Sequence, residues 1–126
     1  MLIEIAAIAY ALLALAPITV QLAIAVGAPW GSLTLGGRWP GQLPLFMRPV
    51  TLVQAALLAA MAAAVLTKGG VLDLAWARSL FWPTFGLTVL TLISNAASPS
   101  MPERRLWVPV ILLMLVAAGI VAFKQT

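Results

Sequence analysis

Apolar residues in this chain do not alternate with polar ones. They come in runs, and the runs have the length of a membrane. From residue 5 to residue 26 only Tyr10, Pro17, Thr19 and Gln21 interrupt the apolar sequence. A helix over that run measures roughly 33 Å, enough to cross a hydrocarbon core of about 30 Å. A cleaved signal peptide would have a basic start, a shorter apolar stretch and a small-x-small cleavage site. Here the one charge near the start is Glu4, so a retained first helix is expected over 5–26.

The next stretch is of a different kind. Residues 27 to 48 hold Gly27, Gly31, Gly36, Gly37 and Gly41, with Pro29, Pro40 and Pro44 and the aromatic Trp30 and Trp39. Gly and Pro at this density oppose a regular helix, which predicts a long loop forming a non-helical or re-entrant cap. A second helix is expected over 49–67, opened by Pro49 and closed by Lys68, Gly69 and Gly70. Within it, Ala55, Ala59 and Ala63, and likewise Ala56, Ala60 and Ala64, form small-residue rows that let another helix approach closely. Asp73 reads as the N-cap of a third helix over 74–95, with Pro83 well inside it and expected to kink it, as Pro17 should kink the first. A fourth helix is expected over 105–123. Ser100 and Glu103 have the spacing of a capping box. Pro109 then implies either a kink or a true start near Trp107, with residues 103 to 105 at the interface. The fold class that follows is all-α, an integral membrane bundle of four transmembrane helices in one domain, with a long Gly/Pro-rich loop between helices 1 and 2. A weak internal similarity relates the two halves: each odd helix has an internal proline and each even helix has one near its start.

Composition agrees. The 126 residues are 63% hydrophobic and 8% charged, with a mean hydropathy of +1.11, whereas soluble domains carry about 25% charged residues. Cys and His are both missing. Disulfides, thiol redox chemistry, Cys-bound metal and His-ligated haem or zinc are therefore excluded, and neither a metal nor a cofactor is expected. The net charge of +4 is scattered; it suits anionic headgroups and not nucleic acid. Four spans would put Lys68, Arg78 and Lys124 on one side, and Arg38, Arg48, Arg104 and Arg105 on the other. Helix 1 has no cation before it and Arg38 after it, which favours external termini and cytoplasmic Arg-bearing loops.

Two groups of residues could carry function. Thr84, Thr88, Thr91 and Asn95 are spaced four, three and four apart, so they share one face of helix 3 and should line the bundle interior. Each Thr could equally bond to its own helix's carbonyls, and Asn95 could cap the helix end or reach Gln54 or Gln21. The second group is interfacial: Asn95, Ser98, Ser100, Glu103, Arg104, Arg105 and Trp107 fall on the same side as Arg38, Trp39 and Arg48. Of these, Arg38, Trp39, Arg48, Arg104, Arg105 and Trp107 are the candidates for binding a lipid headgroup or another anion, because the Arg fork suits phosphate. Arg and Trp also flank membrane helices with no ligand at all. Glu103 reads as a capping residue.

The segments GAPWG (27–31), GGRWPGQLP (36–44) and NAASPSMPERRLWVP (95–109) resemble those of a group of small bacterial integral membrane proteins with four helices. The resemblance implies an inner-membrane location and no particular activity. Small multidrug-resistance transporters match in size but need a carboxylate inside helix 1, and Glu4 is too near the terminus to be it. Catalysis would have to use Glu103 with Arg104, or Asn95 with Ser98, and such pairs supply no activated nucleophile. The sequence therefore favours a lipid-binding protein or accessory subunit. Its expected partners are membrane lipids, another membrane protein or copies of itself. The alternative is an oligomeric small-molecule transporter or channel.

Overall fold

The computed structural model describes residues 1–124. Four helices form: α1 (Leu2–Ala25), α2 (Arg48–Lys68), α3 (Phe81–Ala96) and α4 (Met101–Val121). No strand occurs among the described residues. Three helical segments, Leu2–Ala25, Leu45–Lys68 and Met101–Val121, are long and apolar enough to cross a membrane. At 16 residues, α3 is roughly 24 Å long, short of the usual hydrocarbon thickness of about 30 Å.

The core follows from spacing along α1. Ala7, Tyr10, Ala14, Pro17, Gln21 and Ile24 are all buried, and their three- and four-residue steps mark one stripe. Ala7 and Ala14 keep that stripe shallow, so α2 lies close along it and α4 packs on its other flank. On α2 the buried residues are Thr51, Ala55, Met61, Ala62, Ala64 and Val65. Of the small-residue rows expected from sequence, Ala55 and Ala64 are buried, Ala60 and Ala63 half-buried, and Ala56 and Ala59 exposed, so neither row forms a continuous packing seam. Large apolar side chains such as Leu12, Val53, Leu90, Leu113 and Val116 point outwards. On a soluble protein they would form a sticky surface; in lipid they meet their preferred solvent.

The third helix departs most from the sequence reading. Residues 75–77 make a single 3-10 turn, and α3 proper starts only at Phe81. Asp73 caps nothing. Its Oδ1 accepts from Arg78 Nε and Nη2 at 2.9 and 2.7 Å, in an exposed pair. Pro83 thus falls in the first turn, where its missing N–H is no loss, so the expected cause of a kink is absent. The proposed match between the two halves weakens accordingly, because Pro17 lies deep inside α1 while Pro83 sits at the start of α3. The fourth helix starts four residues before the expected 105 and ends at Val121, because the Ser100 cap opens it, and Pro109 lies inside a continuous helix.

Between α1 and α2 the chain makes three isolated 3-10 turns, at Gly31–Leu33, Leu35–Gly37 and Leu45–Met47. This connection folds onto the α3–α4 turn. Ser100 Oγ donates to Ser32 O at 2.5 Å, Trp107 Nε1 to Leu33 O at 2.7 Å, and Gly36 N to Glu103 Oε2 at 2.9 Å. At the other end of the bundle Lys68 Nζ donates to Lys124 O at 3.0 Å and lies 5.8 Å from the Phe81 ring centroid. α3 therefore starts beside the C-terminal end of α2 and finishes beneath the α1–α2 connection.

Candidate binding cavity

Of the helix pairs consecutive in the chain, α2 and α3 make the least contact. Between them lies a half-enclosed cavity of about 460 Å³, walled by all four helices and roofed by residues 33 to 36. A smaller cleft of about 110 Å³ continues the same seam past Ala60, Leu80 and Thr84. The larger volume is in the range of small-molecule sites, about 300–1,000 Å³. Its walls are mainly apolar, contributed by Leu57, Leu58, Met61, Leu90, Ile111 and Met114. Towards the roof they become polar: Gln21, Thr34, Gln54, Asn95 and Glu103 all border it, with Trp107.

Each polar group has a local reason for its place. Gln21 and Gln54 interrupt apolar helices and need partners away from water. Both find the buried hydroxyl of Thr34: Gln21 Nε2 donates to Thr34 Oγ1 at 3.2 Å, and that hydroxyl can donate either to Gln54 Oε1 at 3.2 Å or to Gln21 Oε1 at 3.3 Å. One loop residue thereby ties α1 to α2. Glu103 is buried, although it stands only three residues from the Ser100 cap. The Ser half of the capping box forms, with Glu103 N donating to Ser100 Oγ at 3.4 Å. The Glu half does not: Ser100 N goes to Ser98 Oγ at 3.1 Å, and the carboxylate turns inward to Gly36 N. The sequence reading of Glu103 as a plain capping residue is corrected on this point.

The roof itself is strained. Leu35 has φ +52, followed by Gly36 at +68 and Gly37 at +71. A left-handed conformation costs a non-glycine residue about 1–2 kcal/mol. Gly37 has no alternative, because a Cβ there would collide with Ser100.

Of the α3 stripe, Thr84 and Thr88 are buried, and Thr91 and Asn95 are half-buried. Thr88, Thr91 and Asn95 border the large cavity and Thr84 the smaller cleft. Three of them also bond along their own helix: Thr88 Oγ1 donates to Thr84 O at 2.8 Å, Thr91 Oγ1 to Leu87 O at 2.7 Å, and Asn95 Nδ2 to Thr91 O at 2.8 Å. Asn95 neither caps the helix nor bonds to Gln21 or Gln54. The contact that joins α3 to α1 is Tyr10 OH with Thr88 Oγ1, at 2.8 Å.

The interfacial group is dispersed by role. Arg38 is exposed and stacks on half-buried Trp39, its guanidinium 5.1 Å from the ring. Arg48 Nε donates to Leu43 O at 3.0 Å and braces its own loop. Arg105 is exposed, while Arg104 is half-buried with its Nε shielded and without a protein partner. Trp107 is buried and holds the roof through its N–H. None of these arginines borders the cavity. Sequence reasoning missed Thr34 as a site residue; it placed Glu103 in the interfacial group without its inward turn, and considered Gln21 and Gln54 only as partners of Asn95. Only the two glutamines gave a local signal for the cavity, as amides stranded in apolar runs. Comparison with family models, with curated proteins and with solved structures finds no match to this chain.

Proposed function

We propose that this chain is a four-span integral membrane protein that binds one lipid-like amphiphile in the seam between α2 and α3. One observation carries the reading: the cavity is apolar along the helices and polar beneath the roof, the distribution an amphiphile needs. The cavity is half-enclosed, so a tail can extend towards the lipid while the head is sequestered. In this reading α3 is the fourth span, lengthened by the turn at Ala75–Ala77, with exposed Trp76 and Trp82 in the interfacial belt. The resemblance to small bacterial proteins supports a bacterial inner membrane as the location.

Native mass spectrometry from mild detergent tests the proposal. The parent protein should retain one amphiphile per chain. Ser94 borders the cavity and is exposed, so Ser94→Trp should obstruct it with little effect on packing. Retention in the variant should fall at least about tenfold, equivalent to about 1.4 kcal/mol. Equal retention in parent and variant overturns the proposal, as does a stoichiometric second protein in place of the amphiphile.

A further inference from the structure

Taking the cavity to be an amphiphile site, as proposed above, we infer that the head of its occupant is cationic: an ammonium group received by Glu103 beside Trp107. The charge around the cavity is one-sided. Its lining contains one carboxylate and no Lys or Arg, and the chain has no His. Glu103 is 7% exposed; Gly36 N donates to its Oε2 at 2.9 Å, and the Ser98 hydroxyl and Gly37 N also stand beside the carboxylate. A carboxylate offers roughly four acceptor positions; these neighbours are all neutral donors, so they answer part of its hydrogen-bonding capacity and leave it without a counter-ion. Burying a charge without a counter-ion is costly, and a cation brought by the ligand removes the cost.

The neighbouring groups suit the same head. Trp107 borders the cavity with its N–H already held by Leu33 O, so its contribution to a ligand is the ring face, which attracts cations. Gln21 and Gln54 carry amide oxygens that can accept from an ammonium N–H. An anionic head would meet Glu103 with no compensating cation. This separates the cavity from the exposed arginines, whose chemistry suits the opposite charge. Along α4, Glu103 and Met114 are about 16 Å apart at 1.5 Å per residue, which leaves room for a tail below the head.

Two sources offer this chemistry: an aminoalkyl lipid headgroup and a free long-chain amine. The test uses the full-length protein in a neutral maltoside detergent. Dodecylamine, dodecyltrimethylammonium, dodecyl sulfate and dodecanol are titrated separately, each followed by native mass spectrometry and by thermal unfolding. Both cationic probes should bind at least about tenfold more tightly than dodecyl sulfate or dodecanol and should raise the unfolding temperature. In Glu103→Gln the amide oxygen can still accept from Gly36 N, so the roof contact is kept, and the preference for cations should disappear while dodecanol binding stays. The charge series on the unmodified protein decides the matter even if that variant does not fold. A second arm presents phosphatidylethanolamine in competition with dodecylamine: displacement of the amine identifies a lipid head as the natural source, and failure to displace it a free amine. Equal binding of all four probes, or tighter binding of the sulfate, overturns the cationic head but leaves the amphiphile site standing. Binding of none of them, with no retained lipid, overturns both.

Discussion

Gly37 lies against Ser100 with φ +71, and a methyl group there would meet both a strained backbone and the Ser100 side chain. Gly41 has a similar φ, +81, but open space around it. Gly41→Ala should therefore cost only the conformational penalty of about 1–2 kcal/mol. Gly37→Ala should cost clearly more, read as the difference in unfolding temperature between the two variants in detergent. Tyr10 makes the opposite case. Its hydroxyl meets Thr88 at 2.8 Å, yet Thr88 also donates to Thr84 O, so Tyr10→Phe leaves Thr88 with a bond. A loss near the membrane average of about 0.6 kcal/mol is expected; a loss above about 2 kcal/mol would show that the pair is a true interhelical anchor. Trp107→Phe does orphan a partner, the Leu33 carbonyl, at a cost of about 1–3 kcal/mol. Amide hydrogen exchange should quicken across residues 31 to 37 and stay unchanged at the α1–α2 seam.

At the scale of elements, the third helix shows how a sequence rule can be right about chemistry and wrong about place. Asp73 is a good capping residue, but Arg78, five positions on, offers one of its oxygens two donors, a contact that the capping rule does not consider. Once the helix starts at Phe81, Pro83 occupies a harmless position. Pro83→Ala should then change stability by no more than about 0.5 kcal/mol, and a large effect in either direction would contradict the first-turn assignment. The stripe on the same helix turns towards the cavity while Gly86 and Ile93 are exposed and border neither cavity nor cleft. Single cysteines at 86 and 93 should react with a lipid-phase thiol reagent, and one at 88 should not. The reverse pattern would mean that α3 is rotated.

The whole molecule is an open bundle: α1 is clasped between α2 and α4, α3 is held through α4, and the α2–α3 seam is left loose. If α3 crosses the membrane, the two termini and residues 69–74 share one side and the α1–α2 connection faces the other. Reporter fusions after residues 41, 72 and 124 check this arrangement; residues 72 and 124 should report the same side, and opposite readings would reduce the spans to three. Hydrophobic run length was enough to reveal the helical membrane character, because lipid requires long apolar segments whose backbone bonds are satisfied internally. It also located α1 and α2 to within a few residues, since Gly and Pro end a helix wherever they cluster. The site was much less legible. Nothing local distinguishes Thr34 from Thr67, or tells Glu103 to turn inward and not back to its own helix end. Those choices depend on which loop folds over which helix end, and so on partners 13 to 74 residues away along the chain. The sequence determined where apolar segments lie and which polar groups would need company. Only the tertiary structure decided the company, because hydrogen-bond partners in a helical membrane protein are set by packing between segments and not by the spacing within one.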